Sequence, residues 1–194
     1  MFKSTFVLAA CLLFAAAGAS AAPVTGLKSG LFEPPRVAPA IGLQGSDGKP
    51  FDLAKYRGKV VVLEFGYTHC TEVCPVSLAA LAEARKMLGA DAAKLQVVFI
   101  TVDPARDTVA RLQGYLAHFD PSFIGATGSA TQVDAVLKAY GIGAKRMGGS
   151  DAGYIMSHSS YLYFVDTRGM LRALMPFGRP ATDIAHDIQL LLRN

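Results

Sequence analysis

Val60-Val61-Val62-Leu63-Glu64-Phe65-Gly66-Tyr67-Thr68-His69-Cys70-Thr71-Glu72-Val73-Cys74-Pro75 is the stretch that decides the fold. Residues 60–65 form a β-branched, apolar run preceded by Gly58, the pattern of a central strand buried on both faces. The run passes straight into two cysteines four positions apart. Pro75 is tolerated only near a helix start, and Leu78, Leu81 and Leu88 then recur at helical spacing up to Gly89. A strand therefore delivers a cysteine pair to the N-terminus of a helix.

Working outward, residues 95–102 read as a second buried strand that stops at Asp103-Pro104. Asp107-Thr108 offers a cap for a helix to about His118, and residues 130–140 form another. Residues 141–157 read as a glycine-rich loop. Residues 161–165 and 171–175, joined by Asp166-Thr167-Arg168-Gly169, predict a hairpin, and an amphipathic helix over 181–192 ends the chain. Upstream, Ser46-Asp47-Gly48-Lys49 is a tight turn between two short extended pieces. A βαβ unit followed by an antiparallel ββα unit describes a thioredoxin-like, three-layer α/β sandwich with an N-terminal β-hairpin.

The chain has 194 residues, of which 52% are hydrophobic, enough for one well-filled domain. Net charge is +4, but the basic residues are scattered and form no run interleaved with aromatics, so nucleic-acid binding has no support. Residues 1–21 read as an export signal: Lys3 supplies charge, residues 6–17 are almost wholly apolar, and Ala19-Ser20-Ala21 precede a cut before Ala22. The same segment is about long enough to serve as an uncleaved anchor, which is the one membrane contact the sequence suggests. Leu8-Ala9-Ala10-Cys11 comes too early in the apolar run for a lipoprotein box. Residues 22–40, rich in Pro, Gly and Ala, read as a tether, and the domain is expected over 41–194. The expected location is the bacterial periplasm or the outer face of the inner membrane.

Export leaves Cys70 and Cys74 in a compartment where disulfides persist, yet a bridge between them would close too small a loop to staple the fold. The pair reads as a metal or redox site against the alternative of a plain disulfide. A helix N-terminus favours thiolates, and soft thiolates suit Cu(I) while imidazole adds affinity for Cu(II). His158 precedes the strand expected at 161–165, a neighbour of the Val60 strand, so it reads either as a ligand or as a structural histidine.

Four blocks carry a family resemblance: residues 66–75; Val102-Asp103-Pro104-Ala105-Arg106-Asp107-Thr108; Phe119-Asp120-Pro121-Ser122-Phe123-Ile124-Gly125 with Thr127-Gly128; and residues 158–166. In this order, over about 41–192, they resemble the SCO/SenC family. That resemblance implies a thioredoxin fold bearing copper on two cysteines and one distal histidine, here Cys70, Cys74 and His158. It also implies a role in building the copper centre of a respiratory terminal oxidase. The implied partners are a copper-receiving oxidase subunit, a thiol reductant and a copper donor. Many members have Pro and Asp after the first cysteine where this chain has Thr71 and Glu72, which bears on redox tuning but not on ligands.

His69 and Asp103 are candidates for the outer shell, and Met156 is a further soft candidate ligand. Tyr67, Tyr161 and Tyr163 read as core or site walls, and His118 and His186 as surface residues. Two rival readings use the same cysteines: a thiol–disulfide reductase, and a peroxidase, which is disfavoured because a threonine-rich peroxidatic loop is missing. Ser157-His158-Ser159-Ser160 also lacks the proline that thioredoxin-like reductases carry before the strand facing their cysteines.

Overall fold

The structure, a computed structural model, describes residues 24–150 and 153–194. The expected export signal and Cys11 lie outside them. Along the chain the elements are β1 (Gly30–Val37), β2 (Gln44–Gly45), β3 (Val60–Gly66), α1 (Val73–Met87), β4 (Leu95–Thr101), α2 (Val109–Ala117) and β5 (Ile124–Thr127). They continue as α3 (Ala130–Tyr140), β6 (Ala144–Met147), β7 (Ile155–His158), β8 (Tyr161–Val165), β9 (Met170–Pro176) and α4 (Ala181–Arg193). The main sheet has the order β1-β9-β8-β3-β4-β5-β2. β3 runs parallel to β4 and antiparallel to β8, in the βαβ and ββα halves that the sequence predicts.

Side-chain alternation divides the core in two. Val60, Val62, Val97, Phe99, Leu162 and Phe164 face α1, α2 and α4. Val61, Leu63, Phe65, Val98, Ile100 and Tyr163 face α3 through Val133, Val136, Leu137 and Tyr140. Because both faces are covered, β3 and β4 are buried along their whole length, which is why they read as unbroken apolar runs. Thr108 caps α2 by accepting from the Arg111 N–H, and Ser129 with Gln132 forms a capping box on α3.

Four features differ from the sequence expectations. The stretch read as a tether contributes β1, which pairs antiparallel with β9. Pro34 and Pro35 are accommodated because β1 is an edge strand, and its register shifts between Leu31 and Arg36. Upstream of it, Val24 is buried in the core, and the Asp187 carboxylate accepts from the N–H groups of Lys28 and Ser29 and from the Ser29 hydroxyl. Ordered structure thus begins well before Ile41. The N-terminal hairpin shrinks to a bridge between Gln44 and Pro50, while β2 pairs with β5. β5 itself escapes a propensity reading, being short and containing Gly125. A Cβ there would lie 2.7 Å from Leu112 Cβ, so glycine is what lets α2 pack on the strand. The glycine-rich loop is a two-stranded ribbon, β6 with β7, separate from the main sheet.

Candidate metal centre

β3 ends at Gly66, and the chain turns so that the Cys70 N–H donates to the Tyr67 carbonyl at 3.1 Å. Cys70 lies in this turn, ahead of α1, while Cys74 occupies the helix's first turn. Glu72, at the N-cap position just before α1, makes no side-chain capping hydrogen bond. The Cys70 sulfur fills that role, accepting from the Cys74 N–H at 3.4 Å. Hydrogen bonding from the Cys74 thiol and from the N–H groups of Cys74, Glu72 and Val73 lowers the Cys70 pKa to about 5, against the opposing effect of burial. Its partner moves the other way: the same thiol–thiolate bond, then burial and the nearby Glu64, hold the Cys74 thiol protonated. The pair is therefore split into an acidic, half-buried sulfur and a protonated, buried one.

Gly66 makes the buried sulfur's seat. A Cβ at this position would stand 2.7 Å from Cys74 Sγ and from the Phe99 ring, so the sulfur rests directly on the strand backbone. One strand step back along the same face lies Glu64, buried in the sheet interior with Oε2 lacking any hydrogen-bond partner among the described residues. Burial raises its pKa to about 8, and the Ser77 hydroxyl offsets this only in part.

His158 closes β7, where it pairs with Ala144. Its Nδ1 is 3.0 Å from the Ser159 carbonyl oxygen. A carbonyl can only accept, so Nδ1 carries the proton and Nε2 presents a lone pair. The ring meets Tyr67 edge-on at 5.9 Å between centroids. His158 lines two cavities, one shared with Cys74 and Glu64, the other with Cys70, Tyr67 and Met156. The imidazole thus borders one cavity with each sulfur. Among the described residues, no three His, Cys, Asp or Glu side chains already converge closely enough to hold a metal ion. The donor types present, two sulfurs and one imidazole nitrogen, are those that suit copper.

The flanking candidates divide. Asp103 is buried and saturated. It accepts from Tyr154 Oη at 2.6 Å and from Arg106 Nε at 2.5 Å, while Arg106 donates to the Tyr154 carbonyl and stacks on its ring at 3.6 Å. Its work is to fasten the β6–β7 ribbon to the end of β4. His69 is exposed, 3.3 Å from Thr68 Oγ1. Met156 reaches the cavity wall, and its backbone hydrogen-bonds with the Tyr67 hydroxyl. Tyr67 is a buried wall of the site, Tyr163 belongs to the core facing α3, Tyr161 is an exposed residue on the cavity rim, and His118 and His186 lie on helix surfaces.

The sequence reading missed two acids. One is Glu64, hidden inside an apolar run. The other is Asp107, taken for a helix cap. Fully buried, it accepts from the Thr68 N–H at 3.1 Å, Thr68 Oγ1 at 2.6 Å and Thr101 Oγ1 at 2.7 Å, and so holds the cysteine turn in place. Its position inside a family-like block was the available signal.

The SCO1/SenC family model matches residues 33–193, nearly all of the described chain. The chain belongs to the SCO1/SenC family. An SCO2-like protein of Rickettsia conorii is 37% identical over 125 residues, covering 63% of this chain and 61% of that protein. The mitochondrial SCO2 homolog of Bos taurus is 36% identical over 142 residues, 70% of this chain and 52% of that one. The chain thus spans between half and about three fifths of the length of these relatives. Among solved structures, Bradyrhizobium japonicum ScoI with copper bound superposes with a TM-score of 0.74 at 33% identity, over 80% of this chain and 99% of that one. Yeast Sco1 with copper bound gives 0.74 at 27% identity, over 82% and 90%. The sandwich is therefore the thioredoxin-like fold of SCO1/SenC proteins. Among the described residues, no helix is long and apolar enough to cross a membrane.

Proposed function

We propose that this chain is an exported copper-delivery protein. It binds one copper ion through Cys70, Cys74 and His158 and passes it by ligand exchange to a copper-receiving subunit during assembly of a respiratory terminal oxidase. The observation that carries the reading is the imidazole of His158, with Nε2 free, lining cavities that contain each sulfur. Copper in the related Bradyrhizobium and yeast structures supports it. Closing the ligand set requires His158 to turn toward the sulfurs, a local movement across the two cavities it already borders. Both thiols must lose protons, so copper affinity rises with pH. An oxidised pair cannot hold the ion, so the protein needs a reductant in its compartment.

The test is copper stoichiometry and affinity of the reduced protein beside His158→Ala. One ion per chain is expected for the wild type, with at least about tenfold weaker binding in the variant. Equal binding would remove His158 from the ligand set. A second reading, a thiol–disulfide reductase acting on the acceptor's copper-site cysteines, is favoured by the split between an acidic Cys70 and a protonated Cys74. It predicts that oxidase assembly survives His158→Ala and fails with either cysteine replaced.

A further inference from the structure

Glu64 is the only titratable residue of β3, and its side chain is 5% exposed. Alternation puts it on the same face as Gly66, and Gly66 is where Cys74 Sγ rests. The carboxyl is therefore the next group along the strand from the buried sulfur. A cavity of about 10 Å³, space for about one water, is lined by Glu64, Cys74, Ser77 and His158. Among the described residues no Lys or Arg lines it, and Oε2 has no hydrogen-bond partner. Buried polar atoms in folded proteins are nearly always satisfied. A buried carboxyl oxygen without a partner, on the wall of a cavity shared with a thiol and an imidazole, becomes a cation ligand once its proton is lost.

We propose that Glu64 is a further copper ligand, an oxygen donor that joins Cys74 and His158 when the bound ion is Cu(II). The inference rests on the Cys–Cys–His reading above. Two thiolates and an imidazole fill the low coordination number that Cu(I) accepts, and an oxygen adds little to a soft ion. Cu(II) takes a fourth, harder donor in a tetragonal set. It also carries the extra positive charge that a third anionic ligand would balance. Glu64 thus makes the site selective for oxidation state, with no change in the ligands that hold Cu(I).

The experiment measures affinity for each oxidation state by competition with chelators, and the paramagnetic resonance spectrum of the Cu(II) complex. The proteins compared are the wild type, Glu64→Gln, Glu64→Met and His158→Ala, with thermal unfolding of each apo form as the folding control. Glu64→Gln is expected to weaken Cu(II) at least about tenfold, to alter the copper hyperfine splitting, and to leave Cu(I) binding within about twofold. Should Gln at this site disturb folding, Glu64→Met carries the measurement, since it removes a buried carboxyl whose one partner is the Ser77 hydroxyl, at similar volume. Unchanged Cu(II) affinity and spectrum in both Glu64 variants, with His158→Ala still weakened, would overturn the role of Glu64 and leave the three-ligand reading standing. Equal loss of Cu(I) and Cu(II) would also overturn it, marking Glu64 as merely structural. If His158→Ala binds as well as wild type, the underlying reading fails instead.

Discussion

Single residues set the chemistry of the cysteine turn. With its pKa lowered to about 5, Cys70 releases its proton earlier in the folded, reduced, metal-free protein than in the unfolded chain. The stability this contributes is fully present above the ordinary thiol pKa and is lost as pH falls through about 5. Urea unfolding should therefore show wild type gaining on Cys70→Ser as pH rises from 5 towards 9. Alkylation of Cys70 by iodoacetamide should be half-maximal near pH 5, and a midpoint at an ordinary thiol value would refute the stabilisation of its thiolate by the Cys74 thiol and the N–H groups of the helix start. Asp107 matters by a different route. Replacing it with Ala strands the Thr68 N–H and two hydroxyls, a loss expected to cost about 3 kcal/mol in chemical denaturation. At this scale the two cysteines stood out by residue type and spacing, whereas His158 was singled out as a ligand only by its place in a family-like block. Glu64 and Asp107 were not, because the meaning of a buried acid depends on neighbours that only folding supplies.

At the scale of elements, β3 and α1 meet through the contact of Cys74 with Gly66. Gly66→Ala places a methyl 2.7 Å from both Sγ and the Phe99 ring. Overpacking of this kind is expected to cost about 1–3 kcal/mol, and the displaced sulfur should also weaken copper binding. Thermal unfolding and copper titration of that variant check the two effects, and an unperturbed midpoint would mean the helix yields easily. Buried strands and capped helices could be read directly: β3, β4, α2 and α3 have long apolar runs or side-chain caps. The β6–β7 ribbon could not, since glycines around exposed, polar strands look like loop. What orders the ribbon lies outside it, in the grip of Asp103 and Arg106 on Tyr154.

For the molecule as a whole, the N-terminal segment closes one margin of the sheet. Removing residues 24–37 would expose β9 as an unpaired edge and strip the Asp187 carboxylate of its Lys28 and Ser29 donors. Uncovered edges invite strand pairing between copies, so the truncated protein is expected to self-associate in sedimentation velocity where the parent does not. A proline-rich stretch hides this role from sequence reading, because residues that disfavour central strands are compatible with margins. The turn after β4 carries a broader consequence. Asp103 grips the ribbon that bears His158, and Asp107, one helical turn later, grips the segment that bears Cys70. Both halves of the centre hang from a short span that contributes no donor atom itself. On the proposed Cys–Cys–His ligation, a substitution in that span would shift the gap between sulfur and nitrogen and so retune the grip on the ion, with every proposed ligand left in place.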